Sequence, residues 1–307
     1  MTHSRLAFPT VPRSLLPDSA GFPRPLRDLE DPPNSLRVVG SWPLPEGPRV
    51  GIVGTRHADP DALDFATDVA AQVAAAGAIV ISGGARGIDT CAHRGALSVG
   101  APTVAVLATG LAWAYPPENK QLFEQIAGCG ALLSEADDGW SPRAGLFLAR
   151  NRLIAALSDV LVVVQAPARS GALSTARHAL ALGRRVLAVP DAPWRPRAAG
   201  CLALLDAGCG ICTSGRDILS QRPASRRQVS VATAQKGKRV NDYSHLDGLG
   251  RRVVELLAAG PLDAEQVGSQ LDIPINRVQE VLLTLELAGA VEHRIDGRYA
   301  HAQAAQG

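Results

Sequence analysis

Arginine and glycine recur together where this chain changes direction. Gly54-Thr55-Arg56 follows the apolar run Val50–Val53, and Ser82-Gly83-Gly84-Ala85-Arg86-Gly87 closes the run that begins at Ile79. Glycine lets a backbone come close to an anion, and the free N–H groups at a helix start then point at it. An arginine in the same turn adds a planar, permanently charged fork that matches phosphate. Two such turns side by side point to a surface that holds a phosphate-bearing molecule. Arg150-Asn151-Arg152 places two guanidinium groups around an amide, a set suited to phosphates and base edges. It is expected at the start of an apolar helix, where a purely structural alternative is a surface arginine pair. Ser170-Gly171 with Thr175 reads as a third turn-to-helix anion site, or as an ordinary N-cap.

The elements around these residues alternate. Short apolar runs at Val50–Val53, Ile79–Ser82, Thr103–Leu107, Ala131–Ser134, Val160–Val164 and Arg185–Val189 have the look of strands buried on both faces of a parallel sheet. Between the first two, Asp59 can cap a helix, Pro60 suits its first turn and Gly77 can end it, with Phe65, Val69 and Val73 on one stripe. This alternation predicts an α/β fold: an open, mostly parallel sheet with helices on both faces. Ligands on such sheets gather at the carboxyl ends of the strands, where both glycine-arginine turns fall.

Residues 1–48 are proline-rich and are expected to form an irregular arm, with the α/β domain over 49–221. Residues 222–245 form a linker that holds Arg222, Arg226, Arg227, Lys236, Lys238 and Arg239, with no acidic residue between 222 and 240. It is either a solvated tether or a non-specific nucleic-acid contact. Residues 246–301 predict a winged helix-turn-helix. Helices near Gly250–Ala259 and Ala264–Leu271 precede a third opened by Pro274, and Asp296-Gly297 sits between two strand-like runs. This unit carries five basic and nine acidic residues, a net −4, whereas the whole chain is +2. A DNA-reading helix should present basic residues, but this one carries Glu280 and Glu286 beside Arg277. A protein-contact or intramolecular role is therefore favoured.

Aromatics make up only 4% of the 307 residues, so the core must be Ala, Val and Leu. Five cysteines include one C-x-x-C pair, Cys209 and Cys212, with no second pair to complete a metal site. They read as small buried side chains in a reducing compartment, with a redox pair as the alternative. No run approaches the about 20 apolar residues of a membrane span, and no signal-length apolar run opens the chain. A cytoplasmic protein without membrane attachment is expected.

Taken in order, VGIVGTR, SGGARGID, Ala92-His93, Gly110…Tyr115-Pro116…Asn119, Ser134-Glu135, Phe147-x-x-Arg150-Asn151-Arg152-x-Ile154 and Ser170-Gly171-x-Leu-x-Thr175-Ala176 resemble the DNA-processing protein A family (DprA, also called Smf). The match spans about Phe22 to Gly208. The resemblance implies an extended Rossmann-like fold and a dimer. It also implies binding of single-stranded DNA, protection of incoming DNA in natural transformation, and loading of the RecA recombinase. Matched by position, the implied DNA contacts are Gly54, Arg56, Ser82, Gly83, Gly84, Arg86, Gly87, Arg150, Asn151 and Arg152. Three positions depart from the family pattern: Gln165 where glutamate is usual, Asp191 where glycine follows proline, and Cys201 in place of an asparagine.

Two enzyme classes compete with this reading. A nicotinamide dehydrogenase lacks support, because no G-x-G-x-x-G follows the first strand and no acidic residue closes the second. A nucleotide phosphoribohydrolase of the lysine-decarboxylase-like type is the stronger rival. Its pattern ends in a catalytic glutamate, yet none follows Ser170-Gly171-Ala-Leu-Ser174-Thr175. Asp89 and Glu135 remain as carboxylates, Asp89 reading as a helix cap or a brace for Arg86 and Glu135 as structural. His93, one helix turn after Asp89, reads as an organiser of the loop, with a catalyst as the alternative. No nucleophile, base and orienting group come together, so a binding protein without catalytic residues, cofactor or metal is expected.

Overall fold

The structure, a computed structural model, describes residues 5–8, 11–138, 144–220, 248–287, 290–293 and 298–301. They divide into two compact units, one of Met1–Cys201 with Cys209–Ala224 and one of Leu202–Gly208 with Ser225–Gly307. The basic linker expected at 222–245 lies outside the described residues.

The larger unit opens with β1 (Arg13–Leu15), α1 (Arg24–Arg27) and β2 (Leu36–Gly40). It continues through β3 (Arg49–Val53), α2 (Pro60–Ala75), β4 (Ile79–Ser82), α3 (Ile88–Ser98), β5 (Thr103–Leu107), α4 (Lys120–Cys129) and β6 (Ala131–Ser134). It ends with α5 (Ala144–Leu157), β7 (Val160–Val163), α6 (Gly171–Ala181), β8 (Arg185–Ala188), the first turn of α7 (Ala199–Asp206), whose residues from Leu202 onward group with the smaller unit, β9 (Gly210–Ile211) and α8 (Gly215–Leu219). All nine strands join one sheet in the order β1-β2-β6-β5-β4-β3-β7-β8-β9. Pairing is parallel from β6 to β9 and antiparallel at β2–β6 and β1–β2. The Rossmann-like α/β expectation holds, and every predicted strand is present.

The arm of residues 1–48 differs from the expectation of an irregular segment. Leu36, Val38 and Val39 of β2 are buried, and β2 pairs with β6 from Arg37↔Ser134 to Gly40↔Ala131. Without it β6 would present an unpaired edge. The prolines that suggested irregularity flank the strand at Pro33 and Pro43 and interrupt none of its ladder bonds.

Progression along the sheet reverses at β3. The chain moves from β3 through β4 and β5 to β6, then returns to place β7 on the other side of β3. Because such crossovers are right-handed, reversing direction moves the helices to the opposite face. Accordingly α2 packs on α3 and α8, whereas α5 packs on α6 and α1. The core under α2 and α3 is small and aliphatic, with Val50, Ile52, Val69, Val73, Val80 and Val162 all buried.

In the smaller unit, α9 (Gly248–Ala258), α10 (Ala264–Leu271) and α11 (Ile275–Leu287) are followed by an antiparallel pair, β10 (Val291–His293) and β11 (Tyr299–His301). Asp263 and Gln266 form a capping box at the start of α10. Asp272 takes the left-handed conformation (φ 55°) in the turn before α11. Val253, Leu257, Val267, Val278, Leu282 and Leu285 form the shared core. This is the predicted three-helix unit with its wing strands; the Asp296-Gly297 turn lies outside the described residues. No described helix is long and apolar enough to cross a membrane.

Candidate nucleic-acid interface

β3 and β7 are neighbours whose following loops run in opposite directions, and a crevice opens where they part. A cleft of about 650 Å³ occupies this point. Its walls include Gly54, Thr55, Arg56 and His57 after β3, and Pro167, Arg169, Ser170 and Gly171 after β7. Phe147, Arg150 and Asn151 of α5 complete it, together with Asp89 and Thr175. A second cavity of about 200 Å³ adjoins it and shares Arg56, Phe147, Tyr115 and Arg150, with Gly83 and Arg86 beyond. The expected turns therefore do meet along one edge.

The two loops are tied together by their backbones. The Thr55 N–H donates to the Gln165 carbonyl at 2.7 Å, and the Val164 N–H to the Val53 carbonyl at 3.0 Å. Gly87 sits at the start of α3 with φ 74°, and a Cβ there would meet the carbonyl side of Arg56 at 2.9 Å. The turn after β4 thus presses directly on the turn after β3. Asn119 holds it from the other side, donating to the Gly84 carbonyl at 3.0 Å and to Thr90 Oγ1 at 2.8 Å.

The arginines divide into three kinds. Arg56 and Arg169 are exposed on the cleft rim and pair with no carboxylate among the described residues. Arg56 lies over the Phe147 ring, 5.0 Å from its centroid, and Phe147 lies 5.4 Å from Tyr115. Arg86 is exposed as well but is ion-paired with Glu118. Arg150 is buried: its Nη1 donates to the carbonyls of Gly83, at 2.5 Å, and of Val106. Burial lowers its pKa to about 10, which leaves it charged near neutrality. It forms a positive floor under both cavities, and its Nε has no partner among the described residues.

Arg150, Asn151 and Arg152 were expected to act together at a helix start. They lie instead in the middle of α5, which begins at Ala144. Successive helical residues point about 100° apart, so three in a row face three directions. Arg150 goes under the sheet edge. Asn151 lines the cleft and donates to the Gly171 carbonyl at 3.0 Å. Arg152 turns away to a two-pronged pair with Glu135, both bonds at 2.8 Å, and to the Asp31 carbonyl at 3.0 Å. It does not line either cavity.

Ser82 is likewise turned inward, its buried hydroxyl donating to the Ile52 carbonyl at 2.6 Å. Ser170 caps α6 by accepting from the Ala172 N–H at 3.3 Å, and buried Thr175 lies one turn further on. Gly54 and Gly83 act by smallness, since a Cβ at Gly83 would stand 2.5 Å from the Arg150 guanidinium. Gly84 places its missing side chain against Phe123. Some of the amides expected to meet an anion are already taken: the Ala85 N–H donates to Asp89 Oδ2 at 3.2 Å. Burial raises the Asp89 pKa, opposed by Arg150, the Ala85 amide, Ser82 and Arg56.

Arg169 and His57 belong to the rim without having been singled out. Arg169 directly precedes the Ser170 cap and His57 directly follows Arg56, so adjacency to the anion turns was the available signal.

A mostly parallel Rossmann-like sheet with a cationic crevice at its reversal point places the chain in the open α/β class, whose ligand crevices fall at such points. A family model described as DNA recombination-mediator protein A matches residues 13–223, and one described as DprA winged helix domain matches residues 239–297. The chain belongs to the DNA recombination-mediator protein A family, as its ordered motifs indicated. It is 34% identical to Protein Smf of Synechocystis over 94% of this chain and 80% of that protein. It is 39% identical to the putative DNA processing protein DprA of Mycobacterium tuberculosis over 87% of this chain and 68% of that one. Among solved structures, DNA processing protein A of Streptococcus pneumoniae superposes with a TM-score of 0.65 at 35% identity, covering 68% of this chain and 74% of that one. DNA processing protein A of Helicobacter pylori, described with a single-stranded DNA binding mode, gives 0.62 at 31% identity over 70% and 96%.

Proposed function

We propose that this protein binds single-stranded DNA along the carboxyl edge of its sheet, as a DNA-processing protein of natural transformation. The observation that carries the proposal is the pair of carboxylate-free arginines, Arg56 and Arg169, on either lip of the crevice, above the buried Arg150 charge and beside the Phe147 and Tyr115 rings. Backbone phosphates meet the rim guanidinium groups, and bases lie against the aromatic faces. Neither contact reads sequence, so binding is sequence-tolerant. The Helicobacter relative's described binding of single-stranded DNA supports the same ligand.

The reading extends to a binding protein without catalytic chemistry of its own. Glu135 is held by Arg152 and lines neither cavity. Asp89 lines the cleft but is buried, accepts the Ala85 N–H and has no described nucleophile or imidazole bonded to it, so no general base is assembled with an orienting partner. By family resemblance the bound strand is protected and passed to the RecA recombinase by a homodimer. An equilibrium titration of single- against double-stranded oligonucleotides tests the first part. Preference for single strands, lost in Arg56→Ala, is expected. Release of ribose 5-phosphate from nucleoside monophosphates by the same sample would instead establish the phosphoribohydrolase rival.

A further inference from the structure

Trp194 is 82% exposed, in a protein where aromatics are scarce. An indole left in water on a mobile tip would mean little, but this loop is tied down. Gln165, buried at the end of β7, donates through Nε2 to Asp191 Oδ2 and to Asp59 Oδ2, both at 3.0 Å, and accepts the Asp59 N–H at 3.0 Å. Arg197 Nη1 closes the loop from its other end onto Asp59 Oδ1 at 2.6 Å. Pro193 and Pro196 restrict the backbone on both sides of the indole. The loop after β8 is thus fastened to the loop after β3, which carries Arg56, and to the loop after β7, which carries Arg169.

From these ties we propose that Trp194 is a base-stacking platform for single-stranded DNA that continues past the crevice. The inference rests on the single-strand reading above. β8 lies two strand spacings from β3, roughly 10 Å along the same carboxyl edge. Tyr115 follows β5, which lies on the other side of β3 from β8, so the carboxyl edge carries an aromatic side chain in the loops on each side of the one that holds Arg56. The nearest cations, Arg195 and Arg197, are matched by Asp61, Asp191 and Asp59. The Trp194 patch therefore offers a flat apolar face rather than net charge. A base is the part of the strand with a matching face, and stacking tolerates any base.

The test is a titration of the full chain with a fluorescent oligothymidylate, repeated over a range of salt. Trp194→Ala is expected to weaken binding about tenfold, and Trp194→Phe to restore most of it. Neither should change the slope of log affinity against log salt, because no phosphate contact is removed. Intrinsic emission should be quenched on binding in wild type and less so in Trp194→Phe. Wild-type affinity and undiminished quenching in the two variants would overturn the platform while leaving the crevice reading intact, provided Arg56→Ala still binds weakly. Altered self-association with unchanged affinity would make Trp194 a contact between copies and would also overturn it. Failure of wild type to bind single strands at all would remove the reading on which it rests.

Discussion

Arg56 and Arg150 differ in what their loss should do. Arg56 is exposed and its side chain lies over the Phe147 ring with no carboxylate pair among the described residues, so Arg56→Ala should leave stability within about 0.5 kcal/mol of wild type while weakening DNA binding. Arg150→Ala strips the Gly83 and Val106 carbonyls of a buried donor and should lower stability by about 1–3 kcal/mol. Urea unfolding of both variants beside DNA titration separates the roles. His93 gives a further prediction. It is fully buried, its Nδ1 2.8 Å from the Thr103 hydroxyl and its Nε2 without a partner among the described residues, and burial, aided by Arg150, lowers its pKa to about 3. The folded state thus refuses a proton that the unfolded chain accepts below about pH 6.5. Stability should fall by about 1.4 kcal/mol per pH unit from 6.5 downward, until the folded histidine itself titrates. Asp89, whose pKa burial raises, acts in the opposite direction just above its ordinary value. Urea midpoints at pH 7.5 and 5 should therefore differ more in wild type than in His93→Gln.

The departures Gln165 and Asp191 make sense only as elements of one clamp. A glutamate at 165 would bring a third carboxylate against Asp59 and Asp191, where the Gln165 amide now donates to both. Gln165→Glu should cost about 1–3 kcal/mol at pH 7, recover as the pH falls and one carboxyl is protonated, and be relieved by Asp191→Gly. Chemical denaturation of the single and double variants across pH checks this. Cys201, the third departure, turns its buried thiol toward the Val163 carbonyl at 3.6 Å, and burial pushes its pKa to about 12. None of this was visible in the sequence, because the bonds span 26 to 106 residues. The turns themselves were legible, since strand, glycine and arginine are local signals. The scatter of Arg150, Asn151 and Arg152 was missed because the start of α5 was placed too late, and facing follows from helical phase. Residues 13–15 and 36–40 were missed as strands because proline density hid a short edge-covering pair. At Gly87 the positive φ and the close Arg56 backbone predict that Gly87→Ala displaces the Arg56 turn, weakening DNA binding and lowering the melting temperature together.

At the scale of the whole molecule the distribution of charge carries the function. Residues 246–301 hold a net −4, so the rest of the chain holds the positive balance, and Arg56 and Arg169 bring part of it to the rim without a carboxylate partner among the described residues. The order of the sheet makes this rim: only the reversal at β3 brings the loops after β3 and β7 apart over a shared floor. The most direct test is the salt dependence of single-strand affinity in wild type and in Arg56→Ala with Arg169→Ala. Each phosphate neutralised contributes about −0.7 to the slope of log affinity against log salt. The account predicts a wild-type slope of about −2 or steeper, made shallower by about 1.4 in the double variant with much weaker binding at low salt. A slope and an affinity unchanged by removal of both arginines would contradict it.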